Sequence, residues 1–137
     1  WLVLDHLGKP AVRDWARNPE VSRRWSSCMR ELATLPHVVC KLSGAVTETD
    51  WSGRNGVTPE DAKIILTCFD QALEAFGPQR LMFGSDWPVC QLAAPFTNGL
   101  LVQSTPLIGH QAGTHLHHHT PSVTQHRRTE LLGHFGL

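Results

Sequence analysis

Three short, continuous apolar runs separate stretches in which apolar residues recur at helical spacing. The first run, Trp1 to His6, ends in a polar pair, and Gly8, Lys9 and Pro10 cannot continue it, so it reads as a buried strand with its exit loop. Asn18 is a good N-cap and Pro19 suits the first helical position. Behind them Val21, Trp25, Cys28, Met29 and Leu32 predict one face of a helix over about 19 to 34, stopped before Pro36.

The second run, Val38 to Leu42, is closed by Ser43-Gly44 and by a polar loop carrying Trp51, Gly53, Arg54, Asn55 and Gly56. Thr58-Pro59-Glu60-Asp61 then combines a hydroxyl cap, a proline whose missing N–H costs nothing there, and two acids at the positive end of a helix dipole. Ile65, Phe69, Ala72, Leu73 and Phe76 supply the buried face of that helix, and Gly77-Pro78 stops it. The third run, Arg80 to Phe83, leads into Gly84-Ser85-Asp86-Trp87-Pro88. Strands alternating with helices imply parallel pairing through crossover connections, an α/β class of fold.

From Pro95 the texture changes. Gly99, Pro106, Gly109 and Gly113 are scattered without periodicity, and seven of the nine histidines fall between His110 and His134. This predicts a divergent, loop-rich, poorly ordered tail, with only Arg127 to His134 able to make a short helix. The chain is accordingly divided into residues 1–94 and a His-rich tail, 95–137.

Composition narrows the picture further. Twelve Lys or Arg balance twelve Asp or Glu over 137 residues, which gives no general attraction for nucleic acid or an anionic membrane surface. No apolar run approaches the roughly 20 residues that a membrane span needs, and the first residues lack a signal peptide's basic region, so the expectation is a cytoplasmic protein. Cys28, Cys40, Cys68 and Cys90 lie far apart with no C-x-x-C pair, and read as buried thiols. The opening Trp1, already inside a strand-like run, reads as the mark of a fragment.

In parallel α/β architectures reacting groups gather at the carboxyl ends of strands. Here those ends carry His6, Lys41 with Ser43, and Asp86. A His and an Asp at neighbouring strand mouths can polarise a carbonyl, hold a divalent cation or deprotonate water. Taken singly, a strand-end His is more often a hydrogen-bonded structural group and an Asp before a helix is often a cap.

Asp5-His6-Leu7-Gly8-Lys9-Pro10, Cys40-Lys41-Leu42-Ser43-Gly44 and the run Phe76 to Val89 resemble, in order and placement, three successive motifs of the amidohydrolase-related lactonases. That family includes L-fuconolactonase and pyrone-dicarboxylate lactonase. The resemblance spans about Trp1 to Ala94. It implies the C-terminal part of a (β/α)8 TIM barrel, with the sixth strand ending in the DH motif, the seventh in KLSG and the eighth in GSDWP. It also implies Asp86 as general base for water and His6 as a group that binds the substrate carbonyl or a metal. Lys41 and Ser43 would orient the substrate or serve as packing and solvated strand-end groups, and Trp87 would pack behind the Asp rather than touch substrate. A divalent metal such as zinc is left open for the whole enzyme. The family's first-strand H-x-H is not in this chain, and the tail does not resemble the family's closing helices. Three parallel strands also leave two open edges and exposed apolar faces, so the expectation is that the isolated chain is inactive.

The reaction expected of the parent protein is hydrolysis of a lactone, a small-molecule cyclic ester of a sugar acid or aromatic-degradation product. The alternatives are decarboxylation of an aromatic acid on the same barrel, or a non-catalytic product acting at most as an interaction remnant. A third reading makes His115, His117, His118 and His119 a metal-binding tract, although no Cys pair or tetrahedral spacing accompanies them.

Overall fold

The computed structural model describes residues 1–51 and 56–93. The predicted tail order, the Arg127–His134 helix and the histidine tract lie outside the described residues, as do Gly53, Arg54 and Asn55. Three strands, β1 (Leu2–Leu4), β2 (Val38–Leu42) and β3 (Leu81–Phe83), form one sheet in the order β1-β2-β3, with both pairings parallel. Helices α1 (Val12–Trp15) and α2 (Pro19–Ala33) connect β1 to β2, and α3 (Pro59–Phe76) connects β2 to β3.

Local chemistry accounts for the helix boundaries. The Asn18 side chain accepts the Glu20 N–H at 3.1 Å. Thr58 and Asp61 make a reciprocal capping box, each side chain accepting the other's backbone N–H. Glycine at position 77, with φ +71, lets the chain leave α3. The one-turn helix α1 has no counterpart in the sequence reading, because four residues are too few to display a helical period.

The strands are shorter than the apolar runs suggest. After Leu4 the backbone turns into a tight left-handed path in which His6, Leu7, Gly8 and Lys9 all have φ between +51 and +64. Arg80 belongs to the turn before β3 rather than to the strand. Its guanidinium donates to the carbonyls of Ala33 (3.0 Å), Leu35 (3.0 Å), Val38 (3.4 Å) and Phe76 (3.1 Å), and so ties the ends of α2 and α3 to the start of β2.

Alternation along β2 decides where the core sits. Val38, Cys40 and Leu42 are buried against α2 and α3, where Met29, Ile65, Phe69, Ala72 and Phe76 complete one apolar cluster. Ser26 of α2 also donates a hydrogen bond to Gln71 of α3. The opposite face carries Val3, Val39, Lys41 and Met82, paired across the strands. Val3 and Met82 are exposed there, and the outer strands also expose Leu2 and Phe83, which agrees with the expected open edges and apolar face. One thiol departs from the reading: Cys40, Cys68 and Cys90 are buried, but Cys28 is exposed. The α2 stripe that meets the core is narrow, with Met29 its one fully buried residue, and Cys28 lies one position outside it. Leu73 likewise is only partly buried on α3.

Candidate active site

All four candidate residues lie at the carboxyl end of the parallel sheet. His6 follows β1, Lys41 and Ser43 stand at the end of β2, and Asp86 follows β3. The parallel register places these ends side by side, so residues 80 positions apart in sequence become neighbours.

His6 is the hub. Its Nδ1 is 2.9 Å from the Ser43 hydroxyl and 3.6 Å from Oδ1 of Asp86. Its Nε2 is 3.2 Å from Oδ2 of Asp5, whose other oxygen meets Nζ of Lys41 at 3.0 Å. Ser43 is fully buried, so its hydroxyl serves His6 rather than the open surface. The Asp86 carboxylate turns toward His6 from a left-handed backbone, φ +58, a conformation Asp tolerates better than most residues. The Lys41 hydrogen bond holds the Asp5 carboxyl below its ordinary value.

A left-handed run of non-glycine residues costs free energy, on the order of 1–3 kcal/mol per residue, and persists only where its surroundings over-determine it. Here the Leu7 side chain is buried, Trp25 of α2 donates its indole N–H to the Leu7 carbonyl at 2.8 Å, and Lys9 donates its backbone N–H to the His6 carbonyl. Lys9 also pairs with Glu48 at 2.9 Å. The Glu48 hydrogen bond raises the Lys9 pKa, and the charge of Asp86 adds to the rise.

Two glycines make room for these side chains. A Cβ on Gly44, which has φ +67, would lie 2.5 Å from His6 Nδ1. A Cβ on Gly84 would lie 2.6 Å from Lys41 Cε and 3.3 Å from Ser43 Cβ. In sequence these glycines mark only the ends of the second and third runs, Trp25 belongs to the apolar face of its helix, and Asp5, Lys9 and Glu48 have no assigned role. Of these, Asp5 carried a signal, since an acid adjoining a strand-end His can orient its imidazole. Trp87 departs from expectation: it is 63% exposed rather than packed behind Asp86, and its backbone N–H donates to the Ser85 hydroxyl at 3.3 Å in the turn after β3.

A His, a Ser, a Lys and an Asp converging at the carboxyl ends of parallel strands is an arrangement suited to hydrolysis on a (β/α) barrel. The model of the Amidohydrolase family matches residues 2–128, past the Ala94 at which the motif resemblance stops, and the chain belongs to that family. Among curated proteins it is 62% identical to an L-fucono-1,5-lactonase of Burkholderia multivorans over 96 residues, 70% of this chain and 32% of that protein. It is 36% identical over 96 residues to an L-fucono-1,5-lactonase of Burkholderia ambifaria, covering 69% of this chain and 29% of that protein. It is 34% identical over 87 residues to a 4-sulfomuconolactone hydrolase of Rhizobium radiobacter, covering 64% and 25%. The chain thus spans about a third of the length of the curated relatives it matches. A crystal structure of a Burkholderia multivorans amidohydrolase with bound HEPES superposes with a TM-score of 0.72 at 47% identity, over 98% of this chain and 42% of that one. A second crystal form, with bound zinc, gives a TM-score of 0.69 at 46% identity over the same shares.

The donor set at this site falls short of what such a metal needs. His6 and Asp86 approach each other, but among the described residues no three His, Cys, Asp or Glu side chains come together in a group that could hold an ion. The described residues do not by themselves fit a metal. Among the described residues no helix is long and apolar enough to cross a membrane.

Proposed function

We propose that these residues are part of a lactone hydrolase in which Asp86 activates water. The observation that carries this is the approach of Asp86 Oδ1 to His6 Nδ1 at the shared strand ends, beside an ammonium that is already oriented. Asp86 takes a proton from water as the water oxygen bonds to the lactone carbonyl carbon. The carbonyl oxygen gains negative charge, and the Lys41 ammonium, held at the strand ends beside His6 and Asp5, is the group available to receive it. The ring C–O bond then breaks, and the proton on Asp86 passes to the departing ring oxygen, leaving the hydroxy acid.

An uncharged sugar lactone suits the site better than an anion. Both lysines at the strand ends already face carboxylates, Lys41 with Asp5 and Lys9 with Glu48. For the same reason lactone opening is favoured over decarboxylation, whose substrate brings a carboxylate of its own. A divalent cation such as zinc would need further ligands from outside the described residues. Residues 1–94 would form the barrel part of the protein and 95–137 a separate segment.

The test is a chimaera in which this chain replaces the matching segment of the Burkholderia multivorans L-fucono-1,5-lactonase. Hydrolysis of a sugar lactone is expected, with ring-opened acid as product, and Asp86→Asn should lower kcat by about 100-fold to 10,000-fold. Full activity in that variant, or release of carbon dioxide from an aromatic acid instead, would sink the proposal.

A further inference from the structure

We propose that Asp5 is a positioning residue that sets Lys41 and His6 together, so that one carboxylate orients both the ammonium that faces the lactone carbonyl and the imidazole that lies beside Asp86. The inference rests on the hydrolase reading for its kinetic consequence, but not for its structural one.

The geometry is specific. Asp5 Oδ1 lies 3.0 Å from the Lys41 ammonium and also accepts the backbone N–H of His6 at 3.1 Å, while Oδ2 lies 3.2 Å from His6 Nε2. Both oxygens are therefore engaged, although the side chain is about half exposed. A carboxylate merely solvated at a loop would have no reason to meet two different side chains from adjacent strands. Asp5 precedes the left-handed turn, which swings the His6 ring back toward β2 and brings Nε2 within reach of the preceding residue's carboxylate.

What this holds in place follows from the chemistry of the groups. Lys41 is a flexible four-carbon stem on the uncovered face of the sheet, with three N–H donors. Spending one donor on Asp5 fixes its reach and leaves two for a substrate oxygen. The imidazole of His6 has two distinct nitrogens, and a carboxylate beside Nε2 keeps a proton there. Nδ1 is then the acceptor for the Ser43 hydroxyl, and in that state it donates nothing to Asp86, whose oxygen stays free to take a proton from water. The groups facing His6 are thus Asp5 on one side and Ser43 and Asp86 on the other, and the group facing Lys41 is Asp5.

Two measurements test this. On the full 137-residue chain, competitive amine labelling read by mass spectrometry compares Lys41 with Lys63, which pairs with Glu60 on α3 and serves as internal reference. Asp5→Ala should raise the relative labelling of Lys41 about threefold, the scale expected for freeing a partly exposed ion pair. Asp5→Glu should recover part of the protection. In the chimaera, Asp5→Asn should lower kcat about tenfold or more with a smaller rise in KM, since a mispositioned donor costs chiefly in the transition state. Unchanged Lys41 labelling in Asp5→Ala would overturn the proposal even if the chimaera proved inactive on lactones. An active chimaera in which Asp5→Asn left kcat intact would overturn it as well, while the hydrolase reading would stand.

Discussion

Gly44 lies directly against His6, so close that a methyl group on its α-carbon would sit 2.5 Å from the imidazole Nδ1. The absent side chain at the end of β2 is what allows the His6 ring to turn inward between Ser43 and Asp86. Gly44→Ala would place a Cβ on a backbone of φ +67 and drive it into a ring held on both sides, at a cost of about 2 kcal/mol or more. Urea unfolding should show the lowered midpoint, and the chimaera should lose activity in parallel.

Gly84 provides the contrast. Its missing Cβ would meet chiefly the far end of the Lys41 stem, Cε at 2.6 Å, with Ser43 Cβ at 3.3 Å, rather than a fixed ring. Gly84→Ala should therefore leave stability within about 1 kcal/mol and displace Lys41 instead, because a flexible side chain moves more cheaply than packed backbone. Increased Lys41 labelling with a nearly unchanged unfolding midpoint is the expected pattern.

Arg80 gives the fold a long-range tie at the end of the sheet opposite the site. Its guanidinium serves four carbonyls and lies 5.3 Å from the Phe76 ring centroid. Arg80→Ala should destabilise by about 2 kcal/mol, since carbonyls at the end of α2 lose a charged donor. Arg80→Lys should recover less than half of that, because a single ammonium cannot reproduce a planar fork of donors. Thermal unfolding of the two variants separates charge from geometry.

The thiols should divide by exposure. Burial pushes the Cys40 pKa up to about 12, and burial also raises Cys68; burial and then the Asp86 charge raise Cys90. At pH 8 a thiol of pKa about 12 is thiolate in about one molecule in ten thousand, so it reacts slowly even before access is considered. Titration with an aromatic disulfide should show one fast thiol, Cys28, and a stoichiometry of four only after unfolding.

The paired charges give opposite responses to pH. Asp5 is depressed by Lys41, so the stability it contributes is present above the ordinary carboxylate value and is lost as pH falls through its lower folded value. Lys9 is raised by Glu48, so its contribution is complete below the ordinary lysine value and is lost as pH rises through the raised one. Carboxyl-carbon NMR should place the Asp5 midpoint below that of an ordinary aspartate, and Lys41→Met should return it toward normal.

Much of this could be read from residue order alone. Helical spacing and strong caps located α2 and α3 almost to the residue, since Asn18-Pro19 and Thr58-Pro59 act through local backbone groups. Alternation of strands and helices determined the parallel sheet, and with it the convergence of His6, Lys41, Ser43 and Asp86. Long-range geometry decided the rest. Which nitrogen of His6 faces Ser43, why Gly44 must lack a side chain, and which groups Asp5 holds all depend on strands 30 to 80 residues apart meeting in one register. The left-handed turn at His6 was equally invisible in sequence: three non-glycine residues, His6, Leu7 and Lys9, adopt it where Trp25, 18 positions from Leu7, holds the Leu7 carbonyl, and no local propensity records that contact.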